Sequence, residues 1–417
     1  MRSEKRRRGQ QGQRCQEPET DGSASYHHSE AGANETKLVV GLSSGTSMDG
    51  IDSALVAFGP GVTGEMELVA FRTHEYSQAM RTALVICSRG GHCADVARLD
   101  VAVGEVFATA ALDLLAGAGR EPAEVHCIGS HGQTVIHLPQ SEEIGGMRVS
   151  ATLQLGELSV IAERTGITTV GDFRARDMAA GGEGAPLVPI LDQKMFTHPE
   201  RGRVALNLGG IANVTGLPAG GALTDLIAFD TGPANVLLDA AARRHRLPRG
   251  IDEGGALAMA GTVDPGLLEA LLEHPFFERR PPKSADLGIF AGDYAERCWQ
   301  AAADLSAADL LRTLAELTAR TVADGINRFV APRQAVDEIV VSGGGAHNAA
   351  IMFALQTNLP AARVLTADLV SSIPGDAKEA VLFAYLGRLT LAGECGNVPA
   401  ATGAKRAAVL GKIVPGR

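Results

Sequence analysis

Apolar and polar positions along the chain alternate in a pattern that predicts an α/β plan stated twice. Residues 38–42 (LVVGL) form an apolar run bounded by Ser and Gly, the mark of a buried strand. A turn-rich stretch follows at 43–50, and 51–58 (IDSALVAF) and 66–76 (MELVAFRTHEY) return as strands, a β-meander with a tight first turn. Helical spacing follows at 96–117, where Val96, Leu99, Val103, Val106, Ala110 and Leu114 share one stripe. Residues 124–130 and 152–156 read as strands, 157–165 as a helix and 167–173 as a further strand. The pattern then restarts. Residues 204–208 (VALNL) run into a Gly turn at 209–213 and out again at 214–217, a weak echo of 38–58. Strands at 226–230 and 338–342 each end in a Gly-containing loop ahead of a helix, and helices fill 234–246, 294–330 with breaks, 347–358 and 376–392. The chain therefore divides into two α/β lobes, 37–170 and 171–375, with the helical stretch near 376–412 packing back on the first.

Composition narrows the classes. The chain has 417 residues and a net charge of −10, against the basic face expected of a nucleic-acid binder. No apolar run reaches the 18 or so residues of a membrane helix, so no membrane partner is expected. Residues 1–36 open with a basic cluster (Arg2, Lys5, Arg6, Arg7, Arg8, Arg14) and lack the apolar side chains that would offset ordering, so they read as a disordered polar extension. No apolar segment of the signal-peptide kind follows the cluster. The six cysteines show no metal or disulfide spacing, which fits reduced thiols in the cytoplasm.

Glycine, at 50 residues, concentrates in turns at strand ends: 43–50, 209–213 and 343–348. Such turns bring successive backbone N–H groups close to an anion, and their matching positions in two half-repeats suggest a nucleotide held between two lobes. Gly41-Leu42-Ser43-Ser44-Gly45 also fits the hydrolase nucleophile elbow, but that motif needs a helix after the turn, and IDSALVAF reads as a strand. No Walker or Rossmann glycine pattern is present. Residues 171–186 (GDFRARDMAAGGEGAP) carry two aspartates and two arginines at the end of a predicted strand, then a stretch of small residues. Asp177 reads either as the N-cap of a short helix or as a general base. Asp49, Asp52 and Asp230 lie beside the Gly turns and suit Mg²⁺ held through water.

Taken together, 44–52 (SGTSMDGID), Ser130-His131-Gly132-Gln133-Thr134, 171–189, 207–213 (NLGGIAN), 229–235 (FDTGPAN), 343–348 (GGGAHN) and 376–380 (DAKEA) resemble the anhydro-N-acetylmuramic acid kinase family, in family order over about 37–412. The resemblance implies a two-lobed actin-like (ribonuclease H-like) ATPase fold, each lobe a mixed sheet flanked by helices, with the active site in the interlobe cleft. It implies ATP and Mg²⁺ as cofactors and an amino-sugar acceptor whose 1,6-anhydro ring is opened as O6 is phosphorylated. It implies Asp177 as the base, with Asp172 second. Gly45, Thr46, Ser47, Met48, Asp49, Gly50, Ile51 and Asp52 become the phosphate turn. Gly209, Gly210, Asn213, Gly343, Gly344, Gly345 and Asn348 line the nucleotide cleft. His131, Gln133 and Thr134 fall on the sugar side, and Asp49 and Asp230 near the metal. A homodimer is implied in the same way. Two stretches depart from the family pattern: Glu183 stands where Gln is usual, and Ala285-Asp286-Leu287-Gly288 where Thr-Gly-Arg-Glu is usual. Both bear on sugar choice, leaving a kinase for another sugar, or an inactive nucleotide-binding regulator, as competing readings.

Overall fold

A computed structural model describes residues 35–45, 48–61, 64–285 and 287–417, so Thr46 and Ser47 of the proposed phosphate turn, and the 1–34 part of the expected extension, lie outside it. The chain forms two compact units, 1–184 with 379–397 and 405–417, and 185–378 with 398–404.

The first unit contains β1 (Lys37–Ser44), β2 (Gly50–Phe58), β3 (Met66–Glu75), α1 (Gln78–Ser88), α2 (Cys93–Gly117), β4 (Val125–Ile144), β5 (Met147–Leu155), α3 (Leu158–Thr165), β6 (Thr169–Gly171) and α4 (Phe173–Ala179). The second contains α5 (Pro189–Phe196), β7 (Arg203–Leu208), β8 (Ile211–Leu217), β9 (Ile227–Pro233), α6 (Asn235–Arg244), α7 (Ala256–Ala260), α8 (Pro265–Leu272), α9 (Leu287–Phe290), α10 (Asp293–Ala301), α11 (Ala307–Gly325), β10 (Glu338–Ser342), α12 (Ala349–Asn358) and β11 (Arg363–Thr366). The chain ends with α13 (Lys378–Leu391), α14 (Pro399–Thr402) and β12 (Lys412–Val414).

The two sheets repeat one topology. The first runs β12-β6-β4-β1-β2-β3, with β5 hairpinned to β4, and the second β11-β10-β7-β8-β9. In each, three antiparallel strands form a meander, and two further strands add in parallel on the other side of the first. This is the mixed α/β plan expected from the restart of the pattern at residue 204. The boundary lies later than the expected 170/171, because β6 pairs with β4 and with β12 and so carries 171–184 into the first unit.

Two glycines set the spacing of the first unit's layers. Gly41 and Gly129 are partners across β1 and β4. A Cβ on Gly41 would lie 1.8 Å from the Ala380 carbonyl oxygen, and one on Gly129 1.9 Å from that of Phe383. α13 therefore lies directly against the strands that end at Ser44 and continue into the His131 segment. On the sheet's other side, Val40, Leu42, Ile51 and Leu55 pack with Phe107 and Leu114 of α2 in a closed core.

Candidate functional site

The first unit builds its site where β6 ends. Asp172 takes a left-handed conformation (φ 60°) at the start of α4 and forms an ion pair with Lys412. Asp177 lies one turn further on, inside α4, so it is not the helix N-cap that one reading allowed; that position belongs to Asp172. The Asp177 side chain is fully buried. Its Oδ2 accepts the Gly184 N–H at 2.8 Å, and its Oδ1 accepts Asn397 Nδ2 at 2.7 Å. Asn397 is fixed from its other end, since its Oδ1 accepts the Ala408 N–H at 2.7 Å. Hydrogen bonds to the charged form are what make a buried carboxylate tenable.

Arg174, on the same helix, donates through Nε to His131 Nε2 (3.0 Å) and through a terminal nitrogen to the Gly184 carbonyl (2.9 Å). Gly184 is thus clamped at both its carbonyl and its N–H. His131 stacks on Phe383 at 4.4 Å between centroids. Burial, and then the Arg174 charge, push its imidazole well below its ordinary range. It therefore accepts from Arg174 as a neutral ring. In this unit His131 orients Arg174 and, through it, the Gly184 segment.

No local pattern in the sequence marks Asn397. It lies 220 residues from Asp177, and only the return of the chain after α13 brings it there. Replacing it by Ala removes a donor from a buried carboxylate, a loss of at least about 1.5 kcal/mol for a bond to a charged group. Asn397→Ala is expected to lower kcat about tenfold while leaving nucleotide binding unchanged, measured by steady-state kinetics beside calorimetry.

The same unit carries the first Gly turn. β1 and β4 run parallel with Ser44 beside Gln133. Ser44 Oγ lies 2.6 Å from the Gly50 carbonyl and 2.7 Å from Gln133 Oε1, and Gln133 Nε2 donates to the Gly45 carbonyl at 3.0 Å. Gln133, fully buried, thus shapes the turn from beneath. Thr134 accepts from Gln154 at 3.3 Å across the hairpin. Met48 has positive φ (53°) and donates to the Gly45 carbonyl at 3.2 Å, closing the turn, and Asp49 is exposed at its tip. Gly50, Ile51 and Asp52 already belong to β2. Ile51 points into the core, and Asp52 accepts from Thr73 at 2.6 Å, so these two side chains serve the sheet. The strand after the turn also removes the hydrolase-elbow reading, which needs a helix there.

In the second unit the two remaining Gly turns meet. β7 and β10 are parallel, with Asn207 beside Ser342, so Gly209-Gly210 and Gly343-Gly344-Gly345 emerge from adjacent strand ends. α6 begins against them: Asn235 donates its N–H to the Gly209 carbonyl (3.0 Å) and its Nδ2 to the Leu208 carbonyl (3.0 Å). A Cβ on Gly344 would meet only Asn235 Nδ2, at 3.7 Å, and one on Gly209 nothing nearer than 3.5 Å, so the backbone is open to close approach at both. Asn348 caps α12, its Oδ1 accepting the Ala350 and Ile351 N–H groups at 3.0 and 3.2 Å. Asn213 lies on β8 beside Asp230 of β9. Asp230 Oδ2 accepts the Ala285 N–H at 2.7 Å. The three histidines of β4 stay apart: His126 neighbours Lys37, His131 lies on Phe383, and His137 bonds Thr152.

Residues 37–416 match the family model described as anhydro-N-acetylmuramic acid kinase. The chain is 41% identical over 385 residues to the anhydro-N-acetylmuramic acid kinase of Caldanaerobacter subterraneus subsp. tengcongensis, covering 91% of this chain and 97% of that protein. It is 45% identical over 381 residues to that of Gloeobacter violaceus, covering 91% and 98%. Among solved structures it is similar to the activator of the 2-hydroxyisocaproyl-CoA dehydratase from Clostridium difficile with bound ADPNP, at 13% identity and TM-score 0.43, covering 85% of this chain and 97% of that one.

Proposed function

The chain belongs to the anhydro-N-acetylmuramic acid kinase family, and we propose that it opens 1,6-anhydro-N-acetylmuramic acid with water while phosphorylating O6 from ATP. Asp177 carries the reading. It is a buried carboxylate with each oxygen already held by a protein donor, so its orientation is fixed before substrate arrives. In the proposed step Asp177 removes a proton from water as the water oxygen bonds the anomeric carbon. The bond from that carbon to O6 breaks, O6 bonds the γ-phosphorus, and ADP leaves. Because phosphorus captures O6, the leaving oxygen needs no separate acid, unlike the paired carboxylates of ordinary glycosidases.

The paired turns fit a nucleotide through backbone that is open at Gly209 and Gly344 rather than through side-chain charge. Magnesium bound with the nucleotide would neutralise phosphate charge; the acids beside the Gly turns, Asp49 in the first unit and Asp230 in the second, are each of a kind that holds it through water. The products are N-acetylmuramic acid 6-phosphate and ADP, which puts the reaction in the recovery of cell-wall sugars in the cytoplasm. No single helix among the described residues is long and apolar enough to cross a membrane.

Incubation with Mg·ATP and the anhydro sugar in heavy-oxygen water, quenched before the anomeric hydroxyl exchanges, is expected to give a 6-phosphate carrying one heavy oxygen at C1. A product without that atom would remove water from the ring-opening step. A second reading, a different acceptor sugar, is favoured by the altered 285–288 stretch, whose first residue bonds Asp230. An intact nucleotide site with no product from the anhydro sugar would bring it forward.

A further inference from the structure

The second unit holds a cavity of about 360 Å³, lined among others by Lys283, Arg320, Asp324, Glu278, Phe277 and Asn327. Lys283 is its unusual member. The side chain is only 4% exposed, and its ammonium faces three rings, with Nζ 4.8 Å from the Phe276 centroid and 5.9 Å from those of Phe229 and Phe329. Ring faces attract a cation, yet a buried charge ordinarily also finds a carboxylate. Here the acids of the cavity are already paired: Arg328 takes Asp324 at 3.0 Å and Glu278 at 3.2 Å. Among the described residues neither Lys283 nor Arg320 forms an ion pair. Burial, and then the Arg328 charge, bring the Lys283 ammonium down to about 8.

The position of Lys283 is fixed by the backbone. Its carbonyl accepts the Asp230 N–H at 3.0 Å, and the Ala285 N–H two residues on donates to the Asp230 carboxylate. The lysine segment is therefore pinned to Asp230 of the edge strand β9. Two cations without acid partners, hydroxyl- and amide-bearing walls at Thr321 and Asn327, and the ring of Phe277 make a lining suited to a sugar bearing an acid. The volume is at the lower end of small-molecule sites.

We infer that this cavity binds a small acidic sugar, its carboxylate or phosphate ester held between Lys283 and Arg320. The inference rests on the proposed function only for the choice of sugar acids as ligands, since substrate and product of that reaction both belong to the class.

The test reads Lys283 itself. Trace acetylation followed by peptide mass spectrometry gives its labelling rate in the full chain. N-acetylmuramic acid tests the carboxylate, N-acetylglucosamine 6-phosphate the phosphate ester, and N-acetylglucosamine the neutral ring. One or both acids are expected to slow labelling about tenfold, the neutral sugar not at all, and the acid that protects identifies the head group. Equal labelling with acids and neutral sugar overturns the inference. The charged groups around Lys283 are Arg328, Asp324, Arg279, Asp230 and Glu278. Arg320→Met, an exposed position, should also cut protection about tenfold; unchanged protection there would remove Arg320 from the site. Turnover in heavy-oxygen water without any protection of Lys283 would sink this inference alone. Protection without turnover would leave the cavity and sink the proposed reaction.

Discussion

Asp177→Asn is expected to lower ring opening by about 10²–10⁴-fold, the range a positioned general base contributes, with ATP binding retained. The geometry adds a second consequence. Both Asp177 oxygens face donors, the Gly184 N–H and Asn397 Nδ2. An asparagine at 177 offers one acceptor oxygen and one NH₂, so one donor must face another. Asn397 cannot relieve this by turning over, because its Oδ1 already holds the Ala408 N–H. A buried donor left unsatisfied costs about 1–3 kcal/mol, so the single variant should also unfold at lower temperature. The double variant Asp177→Asn/Asn397→Asp separates the two effects. The amide at 177 would then donate to the carboxylate at 397, which still accepts from Ala408, while the 177 oxygen accepts from Gly184. The long contact from Asn397 Nδ2 to the Arg406 carbonyl, 3.4 Å, is lost. Thermal stability should return toward wild type while turnover stays low. Recovered turnover in the double variant would show that the charge, not its place at 177, is what the reaction uses.

Much of this arrangement was legible in the chain because it rests on periodicity and local turn chemistry. The meanders at 38–76 and 204–230, the helices α2 and α12, and the strand–Gly turn junctions all follow from residues near one another in sequence. Three kinds of feature did not. Short elements, such as the three-residue β12, hold too few positions to show a period. β4 continues to Ile144 as a long hairpin with β5, well past the 124–130 that its pattern marks as a strand. Long-range partners are invisible in one sequence. Gln133 and His131 stand out as polar residues in a motif, but their partners do not: Gln133 donates to the Gly45 carbonyl and His131 accepts from Arg174. Gly41 and Gly129 likewise lie in strands rather than turns, and their reason is a helix more than 200 residues further on in sequence.

Gly343→Ala should be among the most disruptive single-methyl additions to the Gly turns of the second unit. Gly343 has φ 81° and ψ 170°, a region essentially reserved for glycine. An added Cβ would also lie 2.8 Å from Asn207 Oδ1 and 2.9 Å from the carbonyl of Leu208. The second clash is with backbone, so β7 or β10 must shift, and with it the turn at Gly209. Strain of about 1–3 kcal/mol together with the displaced strand end should lower the unfolding midpoint and weaken ATP at least about a hundredfold, or ~2.7 kcal/mol. Gly344→Ala is the informative partner. Its Cβ meets no backbone and only Asn235 Nδ2 at 3.7 Å, so the fold should tolerate it. A methyl there instead stands in the space through which a phosphate would approach the turn. The pair is therefore expected to divide: both variants lose ATP affinity by calorimetry, and only Gly343→Ala loses thermal stability. Full ATP affinity in Gly344→Ala would take this turn out of the nucleotide site, whatever Gly343→Ala does to the fold.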